Sequence, residues 1–170
     1  ARPHVSPAGP VHAHATGEEF RAGSWLRVMG FAAIPSSMLL GVTNYVLTDI
    51  ASLPLFWVIP LALYLVTFII AFGARRRRVP AWIPRAYVLL AIFAVVALAG
   101  EANSPASLLI PLHLFVFALG GLLCHMLVAA MAPHPRYLPQ FNLAISLVGA
   151  IGGLATLLIP PLVTDRMIEY

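Results

Sequence analysis

Residues 108–131 read LLIPLHLFVFALGGLLCHMLVAAM, a stretch with no Asp, Glu, Lys or Arg along it. A helix crosses the hydrocarbon core of a bilayer with about 20 apolar residues, and this run has that length. Its apolar residues are continuous and do not alternate with polar ones. That excludes the two-faced strand of a membrane barrel and predicts a helix. Four further apolar runs accompany it, at 28–47, 53–72, 82–100 and 138–163. The sequence therefore predicts an all-α fold, a polytopic integral membrane helical bundle with about five transmembrane helices within residues 25–170. Residues 1–24 are rich in Pro, Gly, Ala and His and poor in large aliphatic side chains. They cannot bury enough surface to offset their ordering entropy and are predicted as a flexible N-terminal tail or linker.

Composition points the same way. Of 170 residues 61% are hydrophobic and 9% charged, with a mean hydropathy of +0.92, whereas water-soluble domains carry about a quarter charged residues. Five spans leave no room for a soluble catalytic domain. Fifteen prolines and twelve glycines would break up soluble helices, but membrane helices accept both because neighbouring helices satisfy the freed backbone groups. Pro35, Pro60 and Pro111 fall inside their runs and predict kinks.

The net charge of +4 comes from ten arginines and no lysine, set against six acidic residues. In a soluble domain the pI of 9.8 would suggest a nucleic-acid partner. Here the arginines stand at the ends of apolar runs, where they fix orientation in the bilayer, and no nucleic acid is expected. With the N-terminus in the cytoplasm, Arg2, Arg21, Arg27, Arg75 to Arg78, Arg85 and Arg136 fall inside and only Arg166 outside. The expected location is the bacterial inner (cytoplasmic) membrane, multi-pass, N-terminus cytoplasmic and C-terminus outside. Arg75, Arg76, Arg77 and Arg78 are expected to anchor on anionic lipid headgroups, each worth about 1 kcal/mol near the surface.

The polar residues near the spans are few. Asp49 lies between the first two runs and is a candidate cap for the next helix or a candidate cation or proton site. Thr43 and Asn44 read as hydrogen-bonding glue between helices, typically worth about 0.6 to 2 kcal/mol. His113 and His125 lie in the fourth run, where an intramembrane histidine is a candidate proton relay or axial ligand. Their spacing places them about 120° apart around a helix, so they do not share a face. His113 is expected to bond a neighbouring helix, and His125 to sit near the cytoplasmic end. Ser146, Gly149, Ala150 and Gly153 form a small-residue pattern that lets two helix backbones approach closely. No strand precedes these glycines, so they are not a dinucleotide loop. No metal site is predicted: His4, His12 and His14 lack a Cys or carboxylate at useful spacing. The single cysteine, Cys124, has no partner for an intrachain disulfide.

The stretch Thr48-Asp49-Ile50-Ala51 with Pro54, Trp57, Pro60-Leu61, Leu63-Tyr64-Leu65 and Phe68, then Cys124-His125, then Phe141, Leu143 and the Gly149 to Gly153 cluster, carries a resemblance. It resembles the membrane portion of bacterial fused transporter-like/spermidine synthase-like proteins, over roughly residues 25–170. The resemblance implies the second half of a membrane module, with further helices upstream and a soluble synthase-like domain downstream in family members. It implies no enzymatic activity for these residues, because the synthase chemistry belongs to the soluble domain. After Cys124-His125 the family tends to have Gly-Glu, whereas this chain has Met126-Leu127, which removes an intramembrane carboxylate.

Three functional readings follow. The first is a non-catalytic integral membrane subunit that packs against and stabilises a larger membrane protein complex; its partners are the lipid bilayer and other membrane subunits. The second is a half-module of a small-solute, polyamine-like transporter. The third is a pigment- or haem-binding subunit of a photosynthetic or respiratory complex, with chlorophyll or haem at His113. The first needs no cofactor and no enzymatic set.

Overall fold

The computed structural model describes residues 22–49, 55–73, 79–99 and 106–164, and every regular element among them is helical. These are α1 (Ala22–Asp49), α2 (Val58–Gly73), α3 (Trp82–Ala99), α4 (Ala106–Ala130) and α5 (Leu138–Thr164), with a 3-10 turn at Pro135–Tyr137 leading into α5. Three of them, α1, α4 and α5, are long and apolar enough to cross a membrane. The other two are apolar but shorter, with 16 residues in α2 and 18 in α3.

Several boundaries differ from the expected ones, for local reasons. Residues 22–24 open α1 instead of ending the tail, whose remainder lies outside the described residues. Asp49 closes α1 and so belongs to the first helix, not to the connection after it. Leu55 to Trp57 form a turn ahead of α2, with the Val58 and Ile59 amides donating to the Leu55 and Phe56 carbonyls at 3.2 Å. Pro60 is then the third residue of α2, where an amide has no intrahelical acceptor in any case, so it starts the helix instead of kinking it. Pro35 and Pro111 do lie inside α1 and α4. Pro160 and Pro161 are carried within α5, which runs on to Thr164.

Contacts fix the relative directions of the helices. Val28 clusters with Phe141, Gly149 faces Ala32 and Ser36, and Gly153 faces Leu40, so α1 and α5 run parallel. Val128 joins the Val28 cluster while Gly120 lies beside Met38, so α4 runs antiparallel to α1. Gly121 approaches Thr67, and Met126 clusters with Ala71, which makes α2 parallel to α4. Ile83 packs with Met126 and Tyr87 abuts Gly120, which makes α3 antiparallel to α4. The most enclosed helix, α4, packs against α1, α2 and α3, while α5 lies along α1. The starts of α1, α3 and α5 therefore share one end of the bundle, and Arg27, Arg85 and Arg136 stand there.

Candidate functional site

The buried polar centre of the bundle is His125. It lies on α4 with 4% of its surface exposed, against the side of α2 that carries Tyr64, Thr67 and Phe68. These three α2 residues fall within one turn of each other and so share a side of the helix. The Thr67 hydroxyl donates its single proton to the Tyr64 carbonyl at 2.8 Å. It therefore accepts from His125 Nδ1, 3.2 Å away, and this hydrogen-bond pattern puts a proton on Nδ1. The rings of Tyr64 and Phe68 meet the imidazole edge-on, with centroids at 4.9 and 5.3 Å. Phe72 stacks on Phe68 at 4.4 Å and extends this aromatic wall by one turn.

From Tyr64 the polar contacts pass to α1 and α5. The Tyr64 hydroxyl lies 3.5 Å from Ser36 Oγ, and the next residue, Ser37, donates to the Gly152 carbonyl of α5 at 3.0 Å. Here α1 and α5 touch almost backbone to backbone. A Cβ on Gly152 would stand 2.9 Å from the Ala33 carbonyl oxygen and 3.1 Å from its Cα; one on Gly149 would stand 2.9 Å from Ser36 Oγ; one on Gly153 would stand 3.2 Å from the end of Leu40. The closest approach is thus at Gly152, between the two glycines of the small-residue pattern. Ser146 and Ala150 border this seam on its open side, where α1, α2 and α5 enclose a groove of about 860 Å³.

The other sequence candidates are dispersed. Thr43 donates to the Leu39 carbonyl of its own helix at 2.6 Å and has no hydrogen bond to another helix among the described residues; one turn back along a helix is the nearest acceptor for a threonine hydroxyl. Asn44 is exposed near the end of α1. His113 likewise bonds its own helix, Nδ1 donating to the Leu109 carbonyl at 2.8 Å, and meets a neighbouring helix only through its ring, 4.7 Å from that of Tyr45 on α1. Its Nε2 is buried and has no hydrogen-bond partner among the described residues. That nitrogen has the lone pair an axial ligand needs but no open space in front of it, so this packing does not fit a haem or chlorophyll. The side chain of Asp49 and the block Arg75 to Arg78 lie outside the described residues. Among the described residues no three His, Cys, Asp or Glu side chains gather into a metal-holding group. The structure brings together His125 with Ser146, Gly149, Ala150 and Gly153 only through Tyr64 and Ser36. Thr67 was visible in sequence just as a lone hydroxyl within an apolar run, and Ser36 as one of the adjacent pair Ser36 and Ser37.

No protein-family model, curated protein or solved structure matches this chain.

Proposed function

We propose that this chain is a non-catalytic integral membrane subunit that packs against a larger membrane protein complex and stabilises it. All five helices lie in the bilayer in this reading. The observation that carries it is the open build of the bundle. Only 11% of the α5 span is buried by the rest of the chain, against 39% of the α4 span, and α5 exposes Gln140, Asn142 and Ser146 beside its leucines. On the opposite side α3 packs on α4 and leaves Leu89, Ile92, Phe93 and Val96 uncovered. Lipid tails cover apolar side chains well, but a hydroxyl exposed at membrane depth, as that of Ser146 is ten residues beyond Arg136, is better satisfied by another protein.

The proposed orientation places the end bearing Arg27, Arg85 and Arg136 in the cytoplasm, with Arg75 to Arg78 following α2 directly in sequence. The bacterial inner membrane and the kinship with the membrane portion of fused transporter-like/spermidine synthase-like proteins belong to this proposal as well. No enzymatic role is assigned, because the ionisable side chains described above stand apart: His113 faces Tyr45, and His125 is held by Thr67. The test is extraction in mild detergent followed by sizing. The 18.3 kDa chain should migrate with a much larger assembly that contains other integral membrane proteins. Extraction as a free single chain at native expression counts against the proposal.

A further inference from the structure

We propose that the end of the bundle bearing Arg27, Arg85 and Arg136 gathers anionic phospholipids into the lipid shell around it. The inference rests on the membrane-embedded reading of the bundle. Among the described residues these three arginines carry all the fixed positive charge, and all three are exposed. Asp49, the only acidic residue among them, closes α1 at the opposite end, about 33 Å from Arg27 at 1.5 Å per residue. No carboxylate of the described bundle therefore neutralises the arginine end, and its complement is an anion from outside.

Packing sets the level of these charges. Val28, Val128 and Phe141 form one buried cluster at this end and Ala71, Ile83 and Met126 another, and Phe72 packs against both. All five helices thus contribute to a single apolar layer. Arg27 adjoins Val28, Arg85 is two positions from Ile83, and Arg136 is two positions from Leu138, which packs on the first cluster. The exposed rings of Trp82 and Tyr137 stand at the same level. Arginine beside exposed Trp and Tyr at the rim of an apolar layer is the pattern of a bilayer interface, where headgroup phosphates lie.

The distribution of the arginines around the bundle selects lipid over a protein partner. Among the described elements α3 packs on α4 alone, and α5 packs on α1 and its own leading turn. Arg85 and Arg136 therefore stand on opposite flanks of the α1–α4 pair. One acidic patch on a partner reaches one flank, whereas lipid reaches every side. The surroundings select an amphiphile over a soluble anion. Leu26 is exposed beside Arg27, and below Arg85 the same side of α3 continues as exposed Leu89, Ile92 and Val96. A phospholipid meets both parts, its phosphate at the guanidinium and its acyl chains along the leucine, isoleucine and valine.

The experiment places the full chain in nanodiscs of mixed phosphatidylcholine and phosphatidylglycerol and reads tryptophan quenching by a brominated form of each lipid in turn. In a Trp57→Phe protein the remaining tryptophans, Trp25 and Trp82, report on the arginine end; in a Trp25→Phe/Trp82→Phe protein Trp57 reports on the other end. Phosphatidylglycerol is expected to be favoured about fivefold at the arginine end, the ratio for one basic contact near the surface, and not at the Trp57 end. The preference should shrink as salt is raised. Combining Arg27→Gln, Arg85→Gln and Arg136→Gln in the Trp57→Phe protein, with Arg75 to Arg78 left in place, should remove most of it. These side chains are exposed, so the substitutions leave the apolar layer intact. Equal quenching by the two lipids at the arginine end overturns the proposal and leaves those charges to an acidic partner. An equal preference at both ends, or one that survives the three substitutions undiminished, also overturns it. So does its loss to inorganic phosphate at constant ionic strength, which would mark a free-anion site. Migration with a larger assembly is read separately, so failure here and failure of the subunit proposal are distinguishable.

Discussion

Replacing Gly152 by alanine tests the α1–α5 seam at its tightest point. The added Cβ would meet the Ala33 carbonyl oxygen at 2.9 Å, with Ala33 Cβ and Cα at 3.0 and 3.1 Å. Two of these three atoms belong to the backbone and none can rotate away, so the helices must separate. Overpacking of this kind costs about 1 to 3 kcal/mol. Separation also lengthens the Ser37 hydrogen bond to the Gly152 carbonyl, now 3.0 Å, a bond worth about 0.6 kcal/mol in a membrane bundle. Alanine returns up to about 1 kcal/mol of helix propensity. The net loss is about 1.6 kcal/mol, roughly fifteenfold in the folded-to-unfolded ratio. The assay is reversible unfolding in mixed micelles across a series of glycine-to-alanine variants. Gly153→Ala should cost little, because its neighbour is the flexible end of Leu40 at 3.2 Å, and Gly41→Ala should be neutral or stabilising, because nothing lies within 4 Å. A Gly152→Ala protein as stable as wild type, or a Gly41→Ala protein destabilised as much as Gly152→Ala, would refute the backbone-contact reasoning.

Further outcomes follow from the polar contacts. His125→Ala should destabilise the bundle by roughly 2 kcal/mol, since it empties a buried site and strips the α2–α4 link. His113→Ala should cost less than half of that in the same thermal unfolding assay, because its hydrogen bond stays within α4. Thr43→Val should fall within about 0.5 kcal/mol of wild type, its hydroxyl serving only its own helix; a larger loss would restore an interhelical role. For orientation, a cysteine introduced at Ala81 beside the start of α3 should be labelled only from the cytoplasmic side of intact cells or inverted vesicles. Labelling solely from outside reverses the assignment.

That the chain folds as helices, one of them long and apolar enough to cross a membrane, was legible in residues 108–131 because the apolar residues run without alternation, and the small residues around Gly149 pointed to a tight helix contact. The particular neighbours were not legible. In helices that are apolar on every side, periodicity barely distinguishes an inward face from a lipid-facing one, so nothing in the run at 108–131 says that α4 is the central helix. Packing of α5 along α1, the first and last helices, is a long-range outcome that local pattern does not carry. Gly152 was one of several glycines in sequence, and only the position of Ala33 singles it out. Thr43 and His113 were read as interhelical donors because an unsatisfied polar group is costly in lipid, but each finds an acceptor one turn back on its own helix. His125 finds its partner, Thr67, on another helix 58 positions away.

The claim that the chain is a packing subunit is tested most directly by deleting it from its host and resolving the inner-membrane complexes on a native gel. The account predicts that one particular complex disappears or becomes unstable while the chemistry of whatever remains of it is intact, and that restoring the chain restores the complex. An unchanged set of complexes, together with loss of uptake of a single solute, would contradict the account and assign the chain to transport.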